Sequence, residues 1–131
     1  MHQISRNGNY ELLVVMTSFN GTKKSARYDR FMVASEFENY KLVIGQLIGG
    51  DAGDSFSEHD GFMFSTIDRD NDVDAGSCAR GYKSGWWFKK CFAVNLNGEH
   101  QEGNKRSSMS WYNFSNSDEC LKETRMLIRR I

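Results

Sequence analysis

The residues best equipped for chemistry lie within FSTIDRDNDVDAGSCARGYKSGWWFKKCF, residues 64–92. Asp68, Asp70, Asp72 and Asp74 alternate through DRDNDVD. Like charges at this spacing repel, so ordering them is unfavourable unless a cation gathers them. Calcium is the hard ion suited to such a run, taking about six to eight oxygens from carboxylates, carbonyls and water. The run is not an EF-hand loop. Counted from Asp68, the required glycine position holds Val73 and the bidentate glutamate position holds Ala79. Taken alone, the run reads more readily as a solvated acidic turn than as an ion site, because short acidic patterns match by chance.

Cysteines follow at 78 and 91, with a third at 120. The spacing of the first two does not fit the CxxC pairs of zinc ribbons, and His2, His59 and His100 are scattered. A disulfide between Cys78 and Cys91 is the better reading, with Cys120 left over. Tyr82, Trp86, Trp87, Phe88 and Phe92 crowd the same stretch. Such rings either plug a core or line a pocket, and plugging is the commoner use. Nothing points to catalysis: no histidine sits in a motif with serine or cysteine, no carboxylate pair stands apart from the acidic run, and no glycine loop is built for phosphate.

The elements that must position these residues are mostly strands. YELLVVMT (10–17) is rich in strand formers, and SARYDRFMVAS (25–35) is its partner across a tight turn at Phe19-Asn20-Gly21-Thr22. YKLVIGQL (40–47) is a third run, with Tyr40, Leu42 and Ile44 on one face. TRMLIRRI (124–131) reads as another, its alternation blurred by Leu127. Residues 49–117 are punctuated by Gly, Asp, Asn and Ser, and no apolar repeat at helical spacing persists there. Such a span needs staples, and a metal and a disulfide are the usual ones. The predicted organisation is a sheet region at 1–48 and 121–131 carrying a loop-rich region at 49–120.

Composition narrows the partners. Seventeen acidic and seventeen basic residues cancel, so no field favours nucleic acid or an anionic membrane. The longest apolar run, LLVVM, is far too short to span a bilayer. MHQISRNGNYELL lacks the basic start and apolar stretch of a signal peptide, although a secreted protein can lack it in a given gene product. Two sequons, Asn20-Gly-Thr and Asn113-Phe-Ser, are compatible with secretion. The expected location is extracellular.

DRDNDVDAGSCARGYKSGWWFKKCFAVNLNG resembles the fibrinogen C-terminal domain, as in ficolins, tachylectins, tenascins and angiopoietins. The shared signature is DxDND, then CA, an aromatic-glycine step, WW, a second cysteine and NLNG. It extends through GNYELLVV, YDRFMVASEFENYKLVIG and GDSFSEHDGFMFST upstream, and through MSWYNF and LKETRMLIRR downstream. The resemblance implies an α+β fold: a central antiparallel sheet with a large loop-rich calcium-binding subdomain. Residues 1–131 would be a partial domain lacking its N-terminal portion, with a sheet face or edge left unshielded.

The resemblance also assigns roles. Calcium would be held by the side chains of Asp70 and Asp72 and the carbonyls of Asp74 and Gly76, with Asp68 supporting the ion loop or capping its turn. Cys78 and Cys91 would form the family's disulfide. In lectin-like members the Lys90-Cys91 equivalent is a cis peptide whose amides face an acetyl oxygen, and Tyr82 falls where a pocket aromatic stands. Phe92 replaces a frequent histidine. The stretch EHQEGNKRSSMS before Trp111 is shorter than usual, and its Lys105 and Arg106 suit an acetyl or anionic ligand better than a peptide amine. Trp86, Trp87, Trp111 and Tyr112 are expected in the core. The implied function is calcium-dependent, non-catalytic recognition: lectin-like binding of acetylated sugars in innate immunity. The alternative is a protein-binding module for a receptor or extracellular matrix partner. Multimers would form through segments outside this chain.

Overall fold

Tyr10–Ser18 (β1) forms because YELLVVMTS alternates apolar side chains between two faces, as a pleated strand requires. Leu12, Val14 and Met16 are wholly buried on one face, while Leu13 and Val15 on the other are only partly covered. The computed structural model describes residues 9–72, 76–82, 84–89, 91–98, 109–115 and 120–131. Within them β1 is central to a four-stranded antiparallel sheet. Lys23–Tyr28 (β2) pairs on one side and places Ala26 opposite Val14. Leu121–Arg130 (β8) pairs on the other side along nearly its whole length, with Met126 opposite Val14 and Leu127 opposite Leu13. Leu127 blurs the alternation because it lies on the outer face, 48% exposed. There Glu11 pairs with Arg27 at 3.5 Å and with Arg129.

SARYDRFMVAS is not one strand. It divides into β2 and Phe31–Val33 (β3), which pairs with Leu42–Ile44 (β4) in a separate ribbon. The break falls at Asp29 and Arg30. The Asp29 amide donates to the Gln46 carbonyl at 3.1 Å, and its carboxylate accepts the Gln46 amide at 2.8 Å. YKLVIGQL divides likewise, its end starting Leu47–Gly50 (β5) beside β2. Tyr40 does not share the face of Leu42 and Ile44. It lies in a turn with φ of 54°, next to Asn39 at 53°.

Gly50 shows how tightly β5 docks. Its φ is +98°, and a Cβ there would stand 2.2 Å from the Ser25 carbonyl oxygen. Gly50→Ala is expected to cost roughly 1–3 kcal/mol, since both the backbone conformation and the close approach oppose it. A urea midpoint unchanged from wild type would show that β5 can shift away.

The loop-rich region packs its aromatics around Phe56, in the 3-10 turn Phe56–His59. The Phe56 ring lies 5.5 Å from Trp86, 6.0 Å from Tyr28 and 6.1 Å from Trp111. Val94–Asn95 (β6) and Ser110–Trp111 (β7) form a short ribbon, and Cys78–Tyr82 (α1) and Tyr112–Ser115 (α2) are single turns of helix. Trp86, Trp87 and Trp111 are buried as expected. Tyr112 is not; it is 46% exposed, while Phe114 from the same turn fills the core.

Candidate functional site

The acidic run is anchored at its middle. The Asn71 amide donates to Ser65 Oγ and its Nδ2 to the Phe64 carbonyl, both at 2.9 Å. Ser65 bridges to Trp86 through a mutual pair of backbone bonds, so the run hangs from the aromatic core. Asp68 accepts from Thr66 Oγ1 at 2.6 Å, and this bond holds its carboxyl below the usual aspartate range. Asp68 therefore fastens the Thr66–Arg69 turn, in which those two residues exchange backbone bonds at 3.0 and 3.1 Å.

Asp70 and Asp72 are brought together. Asp70 Oδ1 accepts from the Asp72 amide at 3.2 Å, and Asp72 Oδ2 accepts from the Cys78 amide at 2.9 Å. Gly76 is exposed. Asp74 lies outside the described residues, as do Lys90, Lys105, Arg106, His2 and His100. Among the described residues no cluster of three or more His, Cys, Asp or Glu side chains gathers as a metal site. The donor chemistry of Asp70 and Asp72 nevertheless fits a hard cation, since both supply carboxylate oxygens on one short loop. Asp72 also joins that loop directly to the disulfide. Asp72→Ala is expected to lower stability by roughly 1.5–3 kcal/mol, the range for a hydrogen bond to a charged group. It should also abolish any stabilisation by calcium, whereas Asp72→Asn retains an oxygen for the Cys78 amide and loses mainly the calcium response. Urea titrations with calcium and with chelator read both effects.

Cys78 and Cys91 are disulfide-bonded, with Cα atoms 5.5 Å apart. Cys120 is buried and carries no disulfide. Tyr82 and Phe92 lie edge to face with ring centres 4.9 Å apart, and Phe88 is 6.1 Å from Phe92. Both Tyr82 and Phe92 are half-buried against the core. The hollow beside Phe92 is small, about 160 Å³, and is bounded by Glu58, His59, Lys89, Phe92 and Ala93.

His59 received no role from the sequence, yet it organises this region. It is completely buried, with Nδ1 2.8 Å from the Trp87 carbonyl. Its Nε2 lies 3.2 Å from the amides of Ala93 and Val94. Only a neutral ring protonated at Nδ1 satisfies all three: it donates to Trp87 and accepts from the other two. The imidazole thus clamps both sides of the Cys91–Phe92 segment. Its partners are backbone atoms some thirty positions away, so no side-chain pattern could have exposed it.

A larger apolar hollow of about 520 Å³ lies elsewhere, among Val33, Tyr40, Phe64, Trp86, Trp87 and Met126. A second, of about 400 Å³, shares Tyr40 and Phe64 and reaches Asp68 and Arg69. The left-handed turn at Asn39 and Tyr40 forms part of both walls. The Tyr40 carbonyl accepts from Trp87 Nε1 at 2.7 Å and the Asn39 carbonyl from the Phe64 amide at 2.9 Å. These bonds hold a conformation that is uncommon for residues other than glycine.

A twisted antiparallel sheet bearing a disulfide-pinned aromatic loop beneath an aspartate run defines a fibrinogen-like globe. Residues 1–131 match the family model described as fibrinogen beta and gamma chains, C-terminal globular domain. The protein belongs to that family. Human tenascin-R is 42% identical over 130 residues, which are 98% of this chain and 9% of that protein. Mouse angiopoietin-related protein 6 is 37% identical over 136 residues, covering 100% of this chain and 30% of the relative. The fibrinogen-like globe domain of human ANGPTL6 superposes with a TM-score of 0.92 at 37% identity, covering 99% of this chain and 60% of that one. Lamprey fibrin D-dimer, complexed with the peptide Gly-His-Arg-Pro-amide, also reaches 0.92, at 29% identity, covering 97% and 47%. The sequence thus spans less than a third of these two curated relatives. Among the described residues no helix is long and apolar enough to cross a membrane.

Proposed function

We propose that this protein is a non-catalytic extracellular recognition domain whose partner is a protein, a receptor or a matrix component. The observation carrying this reading is the exposed apolar surface around the Tyr40 turn. Phe37 is 99% exposed, Ile67 55% and Tyr40 40%. Phe37 and Tyr40 lie on one turn and Ile67 on another, the two joined by Arg69 Nη1 at 3.5 Å from Asn39 Oδ1. Aromatic side chains beside a hollow are what protein interfaces use as anchors. Support also comes from the relatives, which are a tenascin and angiopoietin-related proteins.

Calcium enters this reading through Asp70, Asp72, Asp74 and Gly76. The ion would shape the loop between the recognition surface and the disulfide. Lectin-like binding of an acetylated ligand at Tyr82, Lys90, Cys91 and Phe92 is the second reading, favoured by the direct link from Asp72 to the disulfide helix. It is second because the hollow at Phe92 is about 160 Å³ and Tyr82 packs edge-on against Phe92.

An array of receptor ectodomains and matrix proteins, probed with the calcium-loaded domain, tests the first reading. Binding should fall at least tenfold for the double variant Phe37→Ala, Tyr40→Ala, and the protein should pass through N-acetylglucosamine resin. Retention on that resin with release by acetate, and indifference to the double variant, would put the second reading in its place.

A further inference from the structure

The sequence offers two asparagines in sequons, and their structural settings differ. We propose that Asn20 is an N-glycosylation site and that Asn113 is not; the inference rests on the extracellular reading above. Asn20, Gly21 and Thr22 form the exposed tip of the β1–β2 hairpin. Gly21 has φ of +90°, and a Cβ built there meets no heavy atom within 4 Å, so the tip stands clear of the body.

The asparagine carboxamide is already divided between two tasks. Its Oδ1 accepts from the Thr22 amide at 3.0 Å and from the Ser18 hydroxyl, closing the turn. Its Nδ2 serves no described partner. Glycosylation uses that nitrogen alone: Nδ2 bonds to C1 of the first sugar of a lipid-diphosphate-linked oligosaccharide. The bond from C1 to the diphosphate oxygen breaks, the lipid diphosphate leaves with the electron pair, and one Nδ2 proton passes to solvent. Oδ1 keeps both of its hydrogen bonds, so the modified asparagine still builds the same turn.

Asn113 is placed otherwise. It sits within α2, its amide donating to Ser55 Oγ at 2.9 Å, and its neighbour Phe114 is buried in the core. The Asn113 side chain rests on Gly53: a Cβ on that glycine would stand 2.7 Å from Asn113 Cβ and 3.2 Å from its Nδ2. Asn113 is itself exposed, but its side chain lies against Gly53, so a sugar on that nitrogen would have to share its space with the 51–55 loop.

The test is expression of all 131 residues behind a cleavable signal peptide in mammalian cells, analysing lysate and medium together. Peptide N-glycosidase in heavy-oxygen water marks each occupied asparagine for mass spectrometry. The expected result is one mark, at Asn20, lost in Asn20→Gln and Thr22→Ala and kept in Asn113→Gln. Thr22→Ala matters because it removes the sequon while leaving the Thr22 amide to hold the turn. An unmodified protein whose Cys78–Cys91 bond has formed would overturn the site while leaving the extracellular reading intact. A mark on Asn113 with Asn20 bare would overturn it as well. Native protein recovered only from the cytosol with reduced cysteines would instead remove the extracellular reading.

Discussion

Replacing His59 with leucine is expected to destabilise the domain by roughly 3–5 kcal/mol, because the Trp87 carbonyl and the Ala93 and Val94 amides lose their shared partner inside the core. Each buried backbone group left unpaired costs about 1–3 kcal/mol, and leucine supplies none of the three bonds. At this size the loss should lower Tm by roughly 10–20 °C. The same residue makes the wild type acid-sensitive. Burial pushes its pKa from the ordinary 6.5 to about 4, with the Trp87 carbonyl pulling the other way and the charge on Lys89 lowering it further. Above pH 6.5 the ring is neutral whether folded or unfolded, and the full stability is present. Between pH 6.5 and about 4 the unfolded polypeptide takes up a proton that the folded one refuses, so stability falls as pH falls. The contribution across that window is roughly 3 kcal/mol. Denaturant titrations from pH 7.5 to 4 should show the slope in wild type, and His59→Leu should lose that part of it. An equal slope in both proteins would mean that His59 does not set the acid response.

Removing the disulfide is the other large effect. Cys78 and Cys91 are 13 residues apart, and closing a loop of that length restrains the unfolded state by roughly 3 kcal/mol in the entropic account of cross-links. Cys78→Ser, Cys91→Ser should therefore lose about that much stability, measured by urea midpoint. The loss should be felt unevenly. Phe56, Trp111 and the β1–β8 pairing lie away from the bridge, whereas α1 begins at Cys78 and Phe92 follows Cys91 directly. Hydrogen exchange should accelerate first at Ala79 and in the Phe92–Val94 segment. Uniform acceleration through β1 would show instead that the bridge supports the whole molecule.

The strands were legible where one physical cause acts alone. YELLVVMTS is rich in strand formers and is followed by an Asn-Gly turn, so β1 and its hairpin follow from residue order. SARYDRFMVAS has strand formers on both sides of Asp29 and Arg30, and its break there is fixed by Asp29 bonding to Gln46, a contact between segments that residue order does not show. Tyr40 misled for a related reason: it continues the apolar alternation of Leu42 and Ile44, yet the bonds from Trp87 and Phe64 hold its turn in the left-handed region. Tyr112 shared an aromatic dipeptide with Trp111, and the short helix that starts there turns its ring outward. The Cys78–Cys91 pair was readable because its chemistry sits in one continuous stretch. His59 was not, since everything that gives it a role is backbone.

The pairing of β1 with β8 joins the first and the last strand of the described residues. During synthesis the first of these leaves the ribosome long before its neighbour exists, and β2 alone can shelter only one of its flanks. The sheet closes only once β8 has been made. A polypeptide cut before β8 would leave β1 with one open flank, a target for chaperones or proteases rather than a slightly shorter domain.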